Sequence, residues 1–286
     1  ELPDAFIALL KERIRQIRPD ALLMGEVWED ASNKTAYNHR RRYFTNAELD
    51  SVMNYPFRDA VCDFLTCRTD AHALYETLSG QRERYPEPFY GACMNLLGSH
   101  DTQRILSCLS DAPPKDTLTR EQQAEYQYKP EAVVRGKRRL YAAFALMFSM
   151  PQPPCIYYGD EAGMMGLSDP FNRGSYPWGR EDIEIRSFVM RLSALRRCNA
   201  AMSSGKTAFA APCADAFAVL RCRGEESALT LVNRADHAVC AALGAEDFRE
   251  GPDALNVRTA DKYSDAFADG TVLQKDLGTG HIRVEI

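Results

Sequence analysis

The sequence has no long uninterrupted apolar segment, no excess of positive charge and no closely spaced cysteine pair. Its longest apolar run, residues 141–150, is interrupted by Ser149 and is shorter than the roughly 20 residues that cross a bilayer. The net charge of −5 argues against nucleic acid or an anionic membrane as a partner. We therefore expect a soluble protein that binds neither nucleic acid nor membrane.

The nine cysteines include no Cys-x-x-Cys pair, which argues against a structural zinc site or a redox motif of that type. An odd number of thiols, several of them in apolar segments, is typical of a reducing compartment, so we expect a cytoplasmic protein. The chain begins at Glu1 with a helical pattern and has no leader to interpret. We expect it to be an excerpt, which leaves secretion open.

Apolar strands alternate with amphipathic helices over the first 200 or so residues. Asp4 is placed to cap a helix that ends near Arg18, and an uninterrupted apolar strand, residues 21–24, follows it. Further strands are predicted at residues 49–55, 92–97 and 155–158, and further helices at residues 57–65, 105–109, 133–148 and 183–198. This alternation predicts an α/β domain with a parallel sheet.

The pattern changes after about residue 204 to a period of two, with turn-forming pairs such as Arg223-Gly224 and Asp269-Gly270. The alternating segments are residues 207–211, 217–223, 228–233, 238–243, 272–275 and 281–286. Such segments with tight turns predict an antiparallel β sandwich or barrel. We therefore expect two domains, residues 1–203 and 204–286.

Polar side chains follow three of the predicted strands, and the first of them is Glu26. In βα barrels the active site lies at the carboxyl ends of the strands. Trp28 would form an aromatic wall beside Glu26 and desolvate its carboxyl, which suits a general acid. The alternative is a glutamate that forms a salt bridge with a neighbouring loop.

The other two polar positions are His100-Asp101 and residues 157–161, Tyr-Tyr-Gly-Asp-Glu. The His-Asp pair suits binding of sugar hydroxyls and stabilisation of positive charge, but Asp101 could instead cap the following helix. Residues 157–161 could form a sugar platform, although a core strand end with a capping carboxylate fits them better. Two acids at one mouth suit glycoside hydrolysis, or a divalent metal if a third ligand is present. The residues alone thus predict a barrel enzyme with carboxylates at its mouth.

Taken together, these segments resemble the α-amylase superfamily of glycoside hydrolases, and within it the neopullulanase, cyclomaltodextrinase and maltogenic amylase branch. The matching motifs are residues 22–29, 49–57, 95–102 and 156–164, with residues 169–178 after them. The resemblance implies the C-terminal half of a TIM (β/α)8 barrel, strands five to eight, followed by an all-β antiparallel sandwich domain. Four motifs in the family's order make the resemblance specific.

The resemblance implies a role for each candidate residue. Glu26 matches the general acid/base, Asp101 the transition-state stabiliser and His100 a substrate-binding histidine. Trp28 would stack on a leaving-group sugar or serve in packing, and Arg173 would help to close the site. The family's nucleophile is an aspartate in a Gly-x-Arg-x-Asp motif, which Glu-Leu-Pro-Asp follows within a few residues. Here Glu-Leu-Pro-Asp is residues 1–4, so we expect the nucleophile and the first four strands to precede this chain.

The implied activity is double displacement at α-1,4-glucosidic bonds of maltodextrins, cyclodextrins or pullulan, by hydrolysis or transglycosylation. It needs no cofactor, and we expect no metal site in this chain. Without its nucleophile the chain alone should be inactive, and its exposed half-barrel edges should favour self-association. The alternatives are a non-catalytic amylase-like scaffold that binds carbohydrate or a protein partner, and a metal-dependent barrel hydrolase.

Overall fold

The computed structural model describes residues 2–44, 48–114, 117–237, 239–243 and 245–248, and the strands Val272–Lys275 and Ile282–Glu285. The α-helices of these residues are α1 (Asp4–Ile17), α2 (Tyr55–Leu65), α3 (Ala71–Arg84), α4 (Glu87–Ala92), α5 (Ile105–Leu109), α6 (Arg120–Ala124), α7 (Pro130–Ser149), α8 (Ile183–Cys198) and α9 (Ala200–Ser204). The strands are β1 (Met24–Gly25), β2 (Thr35–Ala36), β3 (His39–Arg40), β4 (Ser51–Asn54), β5 (Met94–Leu96), β6 (Pro154–Cys155), β7 (Lys206–Cys213), β8 (Ala216–Arg223), β9 (Glu226–Asn233), β10 (Cys240–Leu243), β11 (Val272–Lys275) and β12 (Ile282–Glu285). Short 3₁₀ helices span Phe171–Arg173 and Ala245–Phe248.

A parallel sheet of four strands confirms the predicted α/β organisation. Its order is β1-β4-β5-β6, so each strand pairs with the next sheet strand along the chain. The carboxyl ends of all four strands therefore meet at one edge. The strands are shorter than predicted: β1 begins only at Met24, β4 gives way to α2 at Tyr55, and Ala92 belongs to α4 rather than to β5. Gly159, with a φ of 87°, lies in the turn that follows β6.

The first residues of α1 and α2 are set by their N-cap residues, Pro3 and Asn54. The prediction that Asp4 caps α1 is wrong: Pro3 occupies the N-cap position, and the Asp4 carboxylate instead binds Arg41 Nε at 2.5 Å. α2 begins after Asn54, whose side chain accepts from the backbone N–H of Phe57 at 3.3 Å. This cap fixes the point at which β4 turns into α2.

The largest buried cluster joins α2, α5, α7 and α8 behind the parallel sheet and continues into the antiparallel strands. Phe64 of α2 contacts Phe217 of β8 at a ring distance of 6.4 Å. Arg221 of β8, 1% exposed, donates to the carbonyl oxygens of Ser149 and Gly205 at 2.9 Å each. The antiparallel strands are therefore attached to the helices by apolar packing and by a buried arginine.

The antiparallel pairing predicted after residue 204 is confirmed in the described residues. β7, β8 and β9 form a meander, and β12 pairs with both β10 and β11. Gly224, with a φ of 60°, makes the turn between β8 and β9. The predicted turn at Asp269-Gly270 and the strand ends at Ala238, His281 and Ile286 lie outside the described residues.

Two further findings concern the thiols and the helices. The structure describes eight of the cysteine side chains, and all eight are free thiols. Among the described residues, every helix is either too short or too polar to cross a membrane.

Candidate active site

Glu26 lies directly after β1, at the edge where the carboxyl ends of the parallel strands meet. Its side chain is exposed, so the prediction that Trp28 desolvates it is wrong. Its Oε1 accepts a hydrogen bond from the Tyr55 hydroxyl at 3.0 Å. In the described residues, Glu26 therefore contacts a neutral phenol and not the basic side chain that the salt-bridge alternative requires.

Tyr55 is the first residue of α2 and is fully buried. Besides donating to Glu26, its hydroxyl lies 3.1 Å from Ser99 Oγ, and that serine accepts from the backbone N–H of Asp101 at 3.2 Å. Burial, together with the Glu26 carboxylate, raises the pKa of Tyr55 to about 12. The phenol therefore keeps its proton at neutral pH and connects the Glu26 turn to the Asp101 turn.

His100 and Asp101 lie in the turn after β5, as the strand pattern predicted. The alternative that Asp101 caps the following helix is wrong, because α5 starts only at Ile105 and Arg104 is its N-cap. Asp101 Oδ2 lies 3.2 Å from His100 Nε2. The carboxylate is thus free of backbone capping and turns towards the site.

Arg173, which the sequence placed at the site from the loop after β6, lies at the end of the 3₁₀ helix Phe171–Arg173. Its Nη2 donates to Asp101 Oδ1 at 3.1 Å and its Nε donates to the His100 carbonyl at 3.0 Å. The neighbouring Asn172 is fully buried, and its Nδ2 donates to the carbonyls of His100 and Thr102 at 2.7 and 2.8 Å. The loop after β6 therefore holds the His100-Asp101 turn in place.

Trp28 stacks on Tyr55, with ring centroids 4.0 Å apart and an interplanar angle of 11°. It is nevertheless 42% exposed, and with Glu26 it lines a cavity of about 410 Å³. One side of the indole thus packs on Tyr55, and much of the rest is accessible. Packing, which the sequence left as one option, is observed; stacking on a sugar stays a prediction.

Residues 157–161 lie in the turn after β6 and not in a strand, and they combine the 41% exposed Tyr158 with a buried carboxyl. Asp160 is 1% exposed and lies 3.2 Å from Nη1 of the fully buried Arg104, which also contacts the rings of Tyr157 and Tyr158. Burial raises the pKa of Asp160 to about 7, although Arg104 opposes the effect. The Glu161 carboxylate accepts from the Gly159 N–H at 2.8 Å, which is a local capping contact.

Glu26, His100 and Asp101 are the three described residues whose potential metal-ligand atoms converge, all within 4.8 Å of one another. Ligands bound at roughly 2.1 Å cannot lie much more than about 4.2 Å apart, so the three would have to move closer to hold a small metal ion. Both Asp101 oxygens already have partners, Arg173 and His100. The arrangement suits the binding of sugar hydroxyls better than the binding of a metal.

Sequence reasoning identified the residues that follow the strands, but it missed Tyr55, Ser99 and Asn172. Tyr55 and Ser99 lie within the matched motifs 49–57 and 95–102, so the motifs contained them without indicating what they contact. Asn172 stands next to Arg173, and its short polar side chain gave no signal. Each of the three acts through a partner more than 25 residues away or through backbone atoms of the turn.

Both the sequence and the fold of this chain have relatives among known proteins. The family model of the α-amylase catalytic domain matches residues 3–208 of this chain. The amylopullulanase of Thermoanaerobacter thermohydrosulfuricus is 35% identical over 216 residues, which are 72% of this chain and 13% of that protein. The cyclomaltodextrinase of Geobacillus thermopakistaniensis (strain MAS1) is 28% identical over 244 residues, 83% of this chain and 36% of that protein.

A solved cyclomaltodextrinase structure superimposes with a TM-score of 0.73 at 25% identity, covering 100% of this chain and 42% of the other. This chain thus spans less than half the length of each of these relatives. Its fold is of the TIM-barrel type found in that family. The chain belongs to the α-amylase family, most of it being part of the family's catalytic domain.

Proposed function

We propose that the protein containing this chain is a retaining α-glycosidase that acts on α-1,4-glucosidic bonds of maltodextrins, cyclodextrins or pullulan, by hydrolysis or transglycosylation. One observation carries the proposal: two carboxylates from different parallel strands, Glu26 and Asp101, lie in one cluster linked through Tyr55 and Ser99. The names of the relatives support this substrate class. Because the chain spans a minor part of those relatives, the activity is proposed for the whole protein.

In this mechanism Glu26 protonates the glycosidic oxygen and then takes a proton from the incoming water or sugar hydroxyl. The exposure of Glu26 leaves its second oxygen, Oε2, accessible to a substrate. Asp101 and His100 bind sugar hydroxyls, more strongly as the ring flattens, and Arg173 holds the Asp101 carboxylate. Trp28 offers its accessible side to a leaving-group sugar. The attacking aspartate matches no residue of this sequence.

We further propose that residues 1–203 supply strands five to eight of the barrel and that residues 204–286 form a separate antiparallel sandwich domain. The sequential parallel order of β1, β4, β5 and β6 supports the first part. The match to the catalytic domain, which ends at residue 208, supports the boundary.

The isolated chain is proposed to be inactive and to self-associate. Covalent catalysis without its nucleophile loses several orders of magnitude in rate. β1 and β6 are the two edges of the parallel sheet, and large apolar side chains near β1, such as Ile17 and Leu22, are 83% and 70% exposed. Such edges and apolar surfaces favour association; light scattering that shows a clean monomer at high concentration would contradict this part.

The test is hydrolysis of cyclodextrin and p-nitrophenyl α-maltoside by the full-length protein and by its Glu26→Gln variant. Loss of the general acid should lower kcat by about 10²- to 10⁴-fold. Glu76→Gln, an exposed glutamate on α3 that does not line this cavity, is the matched control and should retain activity within about twofold. A full-length protein that binds maltotriose without cleaving any substrate would instead support the non-catalytic scaffold. Turnover by the isolated chain at the full-length rate would refute its proposed inactivity.

A further inference from the structure

A buried ion pair joins the turn after β5, which carries His100 and Asp101, to the turn after β6. Arg104 Nη1 lies 3.2 Å from Asp160 Oδ1, and the two side chains are 0% and 2% exposed. The same Nη1 donates a hydrogen bond to the Tyr158 carbonyl oxygen. The pair therefore connects two neighbouring strand ends inside the protein, where salt and solvent screen its charges little.

Arg104 fixes the far end of the turn that carries Asp101. It is the N-cap residue of α5, and its backbone N–H donates to the Gly166 carbonyl oxygen at 3.0 Å. Its guanidinium carbon lies 4.4 Å from the ring centroid of Tyr157 and 4.6 Å from that of Tyr158, so the cation rests against both aromatic rings. Because only two residues separate Arg104 from Asp101, a shift of the arginine is passed on to the Asp101 backbone.

Asp160 contacts the near end of the same turn. A Cβ atom added to Gly98 would collide with Asp160 Oδ2, so the carboxylate packs directly against the glycine. Gly98 lies two residues before His100. With Oδ1 beside Arg104 and Oδ2 beside Gly98, one carboxylate touches both ends of the turn formed by residues 98–104.

Stability alone does not explain why this pair is buried. Nε and Nη2 of Arg104 are buried and have no hydrogen-bond partner among the described residues. Buried polar groups without partners are costly, and a buried ion pair can often be replaced by apolar side chains without loss of stability. The geometry that the pair imposes on the turn therefore explains it better than a contribution to folding.

The charge of Asp160 changes with pH in the neutral range. Burial raises the pKa of its carboxyl to about 7; Arg104 and Arg58 oppose this effect, and Glu161 adds to it. Arg58 belongs to α2, and its Nε donates to the Leu97 carbonyl oxygen at 3.1 Å, directly before the turn. Above about pH 7 the carboxylate is therefore ionised and paired with Arg104, and below this pH it is neutral.

We propose that Asp160 and Arg104 are positioning residues of the glycosidase site. Their ion pair holds the turn of His100 and Asp101 in the arrangement that binds the sugar most strongly in the transition state. Both side chains are buried, so they act through the turn and not on the substrate. They hold Asp101 from the core, whereas the part-exposed Arg173 holds its carboxylate from the loop after β6. This inference rests on the proposed function.

The test measures kcat and KM for cyclodextrin hydrolysis by the full-length protein and its Asp160→Asn variant, at pH 5.5 and at pH 8. Asparagine has the shape of aspartate and is neutral at both pH values, so it matches the wild-type side chain only at pH 5.5. There we expect the two proteins to agree within about twofold. At pH 8 the kcat of the variant should be roughly 10- to 100-fold lower, with KM changed less than about threefold. A merely structural defect would lower activity at both pH values.

Asp50→Asn is the matched control. Asp50 pairs with Lys11 at 2.8 Å and its side chain is 12% exposed, but it directly precedes β4 and so lies at the opposite end of the strands from the candidate site. The control should keep kcat within about twofold at both pH values. A ratio of wild-type to Asp160→Asn activity that is the same at pH 5.5 and pH 8, or an equal loss in the control, would overturn the proposal.

Gly98→Ala perturbs the same pair without changing either charged residue. The backbone of Gly98 is not in the left-handed region, so the added methyl group is opposed mainly by the Asp160 carboxylate. We expect kcat at pH 8 to fall about tenfold or more, and an unchanged kcat would contradict the positioning role even if Asp160→Asn failed to fold. An active wild type with unaffected variants would refute this inference alone. A wild-type protein that cleaves no α-glucan would refute the proposed function, and this inference with it.

Discussion

The hydrogen bond from Tyr55 to Glu26 can be removed with little other change to the site. Tyr55→Phe deletes the hydroxyl that lies 3.0 Å from Glu26 Oε1 and keeps the ring that stacks on Trp28 at 4.0 Å. No cavity forms, because the phenyl ring fills the same space. Ser99 Oγ loses one partner but still accepts from the Asp101 N–H. The variant therefore tests whether the phenol holds the carboxylate in position for proton transfer.

The size of the effect follows from the charge on the acceptor. A hydrogen bond to a charged group contributes about 1.5–3 kcal/mol. If that contribution serves to position Glu26 in the transition state, its loss lowers kcat by roughly 10- to 150-fold. Stability should change little, because the aromatic stacking remains; we expect a fall in Tm of no more than about 4 °C.

The assay is steady-state hydrolysis of cyclodextrin by the full-length protein, with a thermal melt of each variant. Tyr128→Phe is the matched control, since the Tyr128 hydroxyl donates to Ser107 Oγ at 2.8 Å and not to a carboxylate. We expect this control to keep kcat within about twofold. A loss smaller than about threefold in Tyr55→Phe, or an equal loss in both variants, would refute the positioning role.

Two further predictions concern charged groups. Arg173→Lys keeps the charge, but a lysine has no planar group that can bridge Asp101 Oδ1 and the His100 carbonyl. We therefore expect the KM for maltotriose to rise about tenfold. An unchanged KM would show that the bridge is not used in substrate binding. Burial raises the pKa of the Asp160 carboxyl to about 7, above the roughly 3.9 expected in an unfolded chain. Between about pH 4 and pH 7 this carboxyl is therefore protonated in the folded protein and ionised in the unfolded chain. The free energy of unfolding should therefore fall as the pH rises from about 4 to 7, and Asp160→Asn should remove this dependence. Thermal melts at pH 5 and pH 7.5 check it, and the same pH dependence in both proteins would contradict it.

The long helices were predictable from the sequence because each buries one face against a large core. The predicted helix at residues 133–148 is α7, Pro130–Ser149, and the helix predicted at residues 183–198 is α8 with the same limits. The strands were less predictable. The apolar run at residues 155–158 predicted a strand, but pairing is confined to Pro154–Cys155 because the partner strand β5 ends at Leu96, opposite Cys155. Apolar character indicates burial, and burial does not require strand pairing.

The caps show how a distant partner overrides a local pattern. Asp4 and Asp101 both precede apolar helical segments, which is a typical capping position. Neither caps a helix, because Asp4 pairs with Arg41 and Asp101 pairs with Arg173, 37 and 72 residues further along. These two ion pairs cannot be predicted from neighbouring residues, since they form only when distant elements of the chain pack together.

The position of the candidate site was predictable for a topological reason, and the way in which its two carboxylates are held was not. Parallel strands bring their carboxyl ends to one edge, so residues that follow β1 and β5 must be near each other. The structure adds that Asp101 is held by the arginine and the histidine, while Glu26 is held by a neutral hydroxyl. The guanidinium of Arg173 suits a carboxylate that faces an oxocarbenium-like sugar. A phenol can donate to a carboxylate and accept from a carboxylic acid, so it can hold Glu26 in both states of an acid/base cycle. The different partners of the two acids therefore support different roles for them, which their positions in the sequence alone could not distinguish.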